Sequence, residues 1–598
     1  MTTYYAPIRD MRFVIEELAG LAEVAALPAF REAEVGPDLV EAVLEEAGKL
    51  AAEVLAPLNR PGDQQGARLT ADGVKAADGF AEAYRRFVAG GWNGVGAPAE
   101  YGGQGLPELF NTATHEMWNA ANMAFALCPM LTAGAIEAIK HHGSAQQQAL
   151  YLPKLVSGEW TGTMNLTEPQ AGSDLSAVRT RAVPNGDHYL ISGQKIFITW
   201  GDHDVAENIV HLVLARTPDA PEGVKGISLF IVPKFLPDAD GRPGRRNDVH
   251  CISLEHKLGI HASPTCVMAF GDHGGAVGYL VGEENKGLAY MFTMMNEARL
   301  KVGLQGLAIA ERAYQQALAY AKERVQGRPV GVKHGERVTI LHHPDVRRML
   351  LTMKAQIEAM RALVYVVAGH MDLARHHPEA AVRSRCQARI DLLIPVIKGW
   401  CTELGVELTS IGVQVHGGMG FIEETGACQH FRDARIAPIY EGTNGIQASD
   451  LVGRKLAQDQ GRAMAALIAD MRATLEELGQ VPGDDLVVIR SALTEGVDAL
   501  DAAAAKVLAL LGSDPNAALA ASFPYLMLTG YVCGGWQMAR AALVAQRRLA
   551  EGVDPAFHEA KLITARFYAE QILTKAGGLR KAVESGGVSI MALSAEQF

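Results

Sequence analysis

Four short segments of this 598-residue chain carry side chains suited to a planar, phosphate-bearing ligand and a positioned base. The last in chain order is FRDARIAPIYEGTNGIQASDLVGRKL, where Glu441 precedes a Gly-Thr-Asn-Gly run that opens a helix. Pro438 and the small residues keep the backbone irregular there, so the carboxylate can enter a cleft instead of lying along a helix surface. A single glutamate is more often a solvated charge, and this one gains meaning from the other three segments. The first, MNLTEPQAGSDLSAVRT from Met164, offers Thr167, Gly172 and Ser173, whose hydroxyl and backbone donors can approach a polar ring or phosphate closely. The same residues also make a glycine turn with Asp174 as a helix cap. The second, GQKIFITWGDH from Gly193, sets Phe197, Ile198 and Thr199 on a strand, presenting an aromatic edge and a hydroxyl. The third is the pair ERVQGRP and QVHGGMGF, with Arg324, Gln326, Gln414, Gly417 and Gly418. Guanidinium grips phosphate as a bidentate fork and glycine permits close approach, although each segment can equally be helix punctuation.

Periodicity shows which elements must hold these segments. From about Met11 to Ser157 apolar residues recur three and four apart, the pattern of a helical domain interrupted by the glycine-rich GVGAPAEYGGQGLP. Between about Trp160 and Leu280 short alternating or β-branched runs separated by turn formers predict a compact β-domain. Helical periodicity returns after GEENKGL in segments long enough to pack as an antiparallel bundle. Further Ala/Leu-rich helices follow Gln460, with breaks at GQVPGDD, LGSDPNAA and EGVDPA.

Composition narrows the class. A formal charge of −12 argues against a mainly electrostatic nucleic-acid binder. Seven scattered cysteines without a CxxC pair suggest neither a disulfide framework nor a zinc site, so no metal is expected and a reducing cytoplasm fits. The N-terminus lacks signal- or transit-peptide character. The apolar window ASFPYLMLTGYVCGGWQMA from Ala521 is interrupted by Pro524, Gly530, Gly534 and Gly535, which predicts a buried helix pair and no stable membrane insertion.

In their order and spacing the four segments closely resemble the acyl-CoA dehydrogenase family over roughly Val40 to Leu456. LVGEENKGL and KLGIHASPTC are similar to family sequence too. The resemblance implies an α+β multidomain fold: an N-terminal α-helical domain (1–158), a central β-barrel-like or orthogonal sheet domain (159–282), a C-terminal four-helix bundle (283–456) and an additional helical domain (457–598). It implies FAD extended between sheet domain and bundle, an acyl-CoA substrate, electron-transfer flavoprotein as acceptor, and a homodimer or homotetramer in a bacterial cytoplasm. By resemblance, Glu441 is the catalytic base that takes the α-proton. Thr167 and Thr199 bond the isoalloxazine, Phe197 flanks it, and Met164, Leu166, Gly172, Ser173, Ile198 and Thr443 join the FAD contacts. Arg324, Gln326, Gln414, Gly417 and Gly418 reach the FAD of a neighbouring subunit. Ser173, Asn296, Arg299, Tyr440 and Gly442 contact acyl-CoA. Some family members carry the base immediately before the arginine matched by Arg299, where this chain has Ala298; Glu297 lies about 100° around the helix.

Three departures stand out: the phenylalanine usual between Gln and Gly is missing from RVQGRP, position 296 is Asn where Asp is common, and the chain runs on past Leu456 to residue 598. Long branches of the superfamily include very-long-chain dehydrogenases, acyl-CoA oxidases, a DNA-associated repair branch, and bacterial enzymes acting on 3-(methylthio)propionyl-CoA. The last share this length and a YYAPIRDM-like opening. An oxidase, or a non-catalytic DNA-associated member, remains the alternative.

Overall fold

A computed structural model describes residues 4–598, leaving aside the side chains at 293–295. The chain divides into two compact units. One holds the N-terminal segment up to Glu45, Pro107–Glu116 and Val302–Phe598; the other holds Glu46–Leu106 and Met117–Lys301. The helix–sheet–helix order along the chain is the one that the hydrophobic patterning predicts.

The second unit is built on an eight-stranded sheet. Its order runs Val249–Leu254, Thr265–Phe270, His188–Thr199, Ala276–Leu280, Ser228–Pro233, Asn208–Ala215, Trp160–Asn165, with Arg181–Asn185 also paired to His188–Thr199. Only Trp160–Asn165 and Asn208–Ala215 run parallel. The twelve-residue strand His188–Thr199 carries three neighbours, Ala276–Leu280 and Arg181–Asn185 along its first half and Thr265–Phe270 along its second, and the sheet curls around it. One face buries Trp160, Leu212, Leu229 and Ile231 with Ile139, Leu152 and Leu155 from helices. The other buries Ile198, Val213, Phe230, Met268 and Phe270.

Two sequence expectations need correction. First, the N-terminal region is not wholly helical, because Arg68–Thr70 and Gly73–Lys75 form a two-stranded ribbon. Its two-residue turn is Ala71-Asp72, followed by Gly73 at φ +114, a short signal lost among the flanking helical periods. Second, the stretch after Ala521 is one helix, Ser522–Ala550. Pro524 falls in its first turn, where a missing N–H costs nothing, and Gly530 is used for packing: a methyl there would lie 2.2 Å from the Trp400 ring. Among the described residues the helix that meets the length and hydropathy of a membrane span is Glu108–His142, and 83% of its apolar window is buried inside the protein. That helix is kinked at the buried Asn122, whose amide donates to the Leu55 carbonyl and accepts from the Phe125 N–H.

The first unit is helical. Pro344–His376 and Ala380–Val415 pack together with the C-terminal part of Gly287–Glu323. The last crosses Ala380–Val415 at unusually short range, since a methyl on Gly306 would stand 2.2 Å from the Cys401 carbonyl oxygen. That close approach registers two helices whose side chains hold the Glu441 segment. Breaks between the appended helices fall at 481–483, 514 and 551–554, where the turn residues indicated. The N-terminal segment belongs to this fold: Tyr4, Met11 and Phe13 are buried, Glu17 pairs with Arg548, and Asp10 pairs with Lys561.

Candidate active site

The sheet unit brings the first two segments together. In the pairing of His188–Thr199 with Thr265–Phe270, Cys266 faces Ile198 but Met268 faces Lys195, so the longer strand carries one extra residue at 196–197. This β-bulge puts Phe197 at φ +59, a left-handed conformation uncommon for a bulky side chain, and swings its ring out of the sheet to 57% exposure. The Ile196 N–H donates to the Thr167 carbonyl at 2.9 Å, and the Thr163 hydroxyl donates to the Thr199 carbonyl at 2.7 Å. Thr167 and Thr199 are partly exposed, and among the described residues neither hydroxyl has a hydrogen-bond partner. Two available hydroxyls beside an outward aromatic ring fit the polar edge and flat face of a flavin. Met164 and Leu166 are half-buried against the core, while Ile198 is buried within it, so any contact Ile198 makes with a ligand is through its backbone. Gly172 and Ser173 are exposed, and Asp174 accepts from the Ser176 N–H as the capping reading expects.

Sequence reasoning missed the pair that holds this loop. Glu168 is buried in the first segment and Lys195 in the second, 2.8 Å apart. The Glu168 carboxylate also accepts from the N–H groups of Arg179 and Thr180, and Lys195 donates to the Leu166 carbonyl. Burial alone would raise the Glu168 pKa, but the Lys195 ammonium and these donors outweigh it and hold it down at about 2. Its unfolded value is about 4.3, so the contribution to stability is fully present above about pH 4.5 and is lost as pH falls toward 2. Glu168→Gln is expected to lower stability at neutral pH by about 3 kcal/mol and to flatten the loss of stability between pH 4.5 and 2. Acid titrations followed by near-UV circular dichroism check this; parallel acid limbs in the two proteins would contradict it.

The helical unit holds the remaining segments. Arg324 and Gln326 are exposed on the loop after Gly287–Glu323. Gln326 is fixed by its N–H to the Val338 carbonyl and by its own carbonyl against His343 Nε2 at 2.6 Å. Gln414, Gly417 and Gly418 are exposed at the end of Ala380–Val415. The Tyr320 ring stacks on His416 at 4.6 Å and joins the ends of the two helices that precede these loops, a link the sequence did not reveal.

Glu441 is half-buried at φ +56, followed by Gly442 at φ +85. Strain of this kind at a non-glycine residue persists only where surroundings over-determine it. Here they do. Buried Lys398 donates to the Gly442 carbonyl at 2.7 Å and to Asn444 Oδ1 at 2.9 Å. Asn444 donates in turn to the Thr402 hydroxyl and to Glu403, and Gln447 donates to the carbonyls of Glu441 and Gly442. Thr443 caps the helix Asn444–Asp450, and the Tyr440 hydroxyl donates to Gln305. Burial, with the Glu441 charge beside it, pushes the Tyr440 phenol well above its usual range, which keeps it a neutral donor. Gln305, Lys398 and Thr402 all lie at the close helix crossing beside Gly306.

Arg299 is buried and Asn296 partly exposed on Gly287–Glu323. Glu297 is buried and paired with Lys301 at 2.7 Å, one turn along the same helix. A carboxylate held in that way is a poor rival for the role of base.

Models of the acyl-CoA dehydrogenase N-terminal, middle and C-terminal domains match residues 38–159, 163–273 and 285–457, and an acetyl-CoA dehydrogenase C-terminal-like model matches 467–594. The chain is 52% identical to a 3-methylmercaptopropionyl-CoA dehydrogenase of Ruegeria pomeroyi, over 99% of this chain and all of that protein. It is 35% identical to a broad-specificity linear acyl-CoA dehydrogenase, FadE5, of Mycobacterium tuberculosis over the full length of both. Among solved structures, an acyl-CoA dehydrogenase from Bacillus anthracis complexed with FAD superposes with a TM-score of 0.74 at 21% identity, covering 98% of this chain and 93% of that one.

Proposed function

Because the chain belongs to the acyl-CoA dehydrogenase family, we propose that it is an FAD-dependent oxidoreductase desaturating an acyl-CoA thioester between its α and β carbons, with Glu441 as base. The observation that carries the assignment is the left-handed Glu441–Gly442 turn, pinned from below by Lys398, Asn444 and Gln447. The full-length similarity to the Ruegeria pomeroyi protein favours 3-(methylthio)propionyl-CoA, or a short fatty acyl-CoA, as substrate.

An α-proton of a thioester is weakly acidic, so its removal needs a base held at the right place and donors aimed at the carbonyl oxygen. In this reading the Glu441 carboxylate takes the α-proton as the α,β double bond forms, and the Glu441 backbone N–H is directed at the thioester oxygen. The chemistry that FAD supplies when bound is a sink for the β-hydrogen and its electron pair. Thr167, Thr199 and Phe197 hold and flank its ring, Met164, Leu166 and the Ile198 backbone border it, and Gly172, Ser173 and Thr443 approach its polar parts. Ser173, Asn296, Arg299, Tyr440 and Gly442 orient acyl-CoA.

Electron-transfer flavoprotein is the proposed acceptor, and the protein works as a homodimer or homotetramer. In support of a partner subunit, Phe421 is 84% and Val330 81% exposed, each beside a loop assigned to a neighbour's FAD. The test is anaerobic mixing of the yellow protein with propionyl-, 3-(methylthio)propionyl-, butyryl- and palmitoyl-CoA while following absorbance near 450 nm. The expected result is rapid bleaching by the short thioesters, with 3-(methylthio)propionyl-CoA fastest. If no thioester bleaches it, the dehydrogenase reading falls.

A further inference from the structure

We propose that Asp248, His250 and His273 form a binding site for a first-row transition-metal dication, best matched by Zn(II), at the edge of the sheet. Its ligands are one aspartate and two histidines, so the cysteine spacing that argues against a zinc site does not bear on it.

The fold assembles it from three short pieces. Val249–Leu254 is the edge strand, paired antiparallel with Thr265–Phe270 so that His250 stands opposite Ala269. The chain then turns through Gly271–Gly275, closed by the Gly271 N–H donating to the Asp248 carbonyl at 2.9 Å. This folds His273 back toward the start of the edge strand. His273 Nδ1 lies 3.2 Å and His250 Nε2 3.4 Å from the same oxygen, Asp248 Oδ1. The three ligand atoms all lie within 4.8 Å of one another.

The two spacings to Asp248 Oδ1 suit a metal, and rotation of the two solvent-facing histidine rings would draw their nitrogens, now within 4.8 Å, onto one ion. Zinc bonds nitrogen and carboxylate oxygen at about 2.0–2.1 Å, so neighbouring ligands of a tetrahedral site stand about 3.3 Å apart. The other carboxylate oxygen, Oδ2, is already occupied by the N–H groups of His273 at 2.7 Å and Gly275 at 3.3 Å. Such outer contacts orient a ligating carboxylate and leave Oδ1 as the bonding atom. Two imidazoles with one carboxylate select zinc-like ions over magnesium or calcium, which prefer all-oxygen sets. The histidine side chains are 40% and 77% exposed, so an ion reaches the site from solvent and keeps a coordination position for water or an outside ligand. Without a metal the same geometry would be two imidazole N–H groups donating to one carboxylate, and the experiment separates the two cases.

The FAD-loaded protein, stripped with chelator and desalted, is titrated with ZnCl2 by calorimetry and with CoCl2 by visible absorbance. Wild type is expected to bind one ion per chain at micromolar concentration, to show Co(II) ligand-field bands, and to gain thermal stability on binding. His250→Ala and His273→Ala should each weaken binding by at least about tenfold and abolish the Co(II) bands. Both side chains are solvent-facing, and equal melting temperatures of the metal-free proteins would confirm that the variants fold. Unchanged Zn(II) affinity in the double variant, equal competition by Mg(II), or no binding by wild type up to millimolar Zn(II) would each overturn the proposal.

Discussion

Glu441→Gln is expected to lower kcat by about 10²–10⁴-fold while the protein still purifies yellow and still binds acyl-CoA. The substitution keeps the shape of the side chain and removes only its capacity to take a proton. The left-handed turn should survive, because what pins it are backbone carbonyls at 441 and 442 and the Asn444 amide, none of which is altered. FAD content, the Kd for a non-oxidisable thioether analogue and steady-state kinetics separate the outcomes. Retained binding with lost turnover supports the base; equal loss of FAD would mean that the substitution disturbed the fold instead.

Lys398→Met carries the second large effect, through positioning. Methionine fills a similar volume but removes the shorter, charged donor of the Gly442 carbonyl and of Asn444 Oδ1, leaving each only a 3.3 Å bond, from Gln447 and Thr402 respectively, and hydrogen bonds to a charged group are worth about 1.5–3 kcal/mol. The turn is already strained at Glu441, φ +56, so it should relax once that contact is lost. A shift of about 1 Å at a reacting group can cost about a hundredfold in rate. The expected variant binds FAD normally, keeps KM within a few-fold, and loses most of kcat along with several degrees of Tm. A variant that loses stability and keeps kcat would show Lys398 to be structural only.

How much of this was legible beforehand follows a physical divide. Helices and strands were readable because burial imposes periods of 3.6 and 2 on the local sequence. Thr167, Phe197, Thr199 and Glu441 stood out because their residue types suit the chemistry and their neighbours break regular structure. The groups that hold them did not. Glu168 and Lys195 are 27 residues apart, and Lys398 reaches Asn444 across 46, so only the folded topology pairs them. One local hint existed: a lysine inside the strand GQKIFIT, whose side chain must find a partner if it faces the core. The Phe197 bulge was hidden as well, because an extra residue in one strand shows only against its partner's register. The helix Ser522–Ala550 was misread because glycine and proline signal breaks on average, while here one sits in a first turn and another takes up a tryptophan ring.

The central claim is that the Glu441 carboxylate receives the α-proton. Release of label from C2-deuterated acyl-CoA during an anaerobic single turnover tests it directly. The account predicts release to solvent in step with flavin bleaching in the wild type, and none above background from Glu441→Gln. Undiminished release from that variant, with FAD and substrate bound, would contradict it.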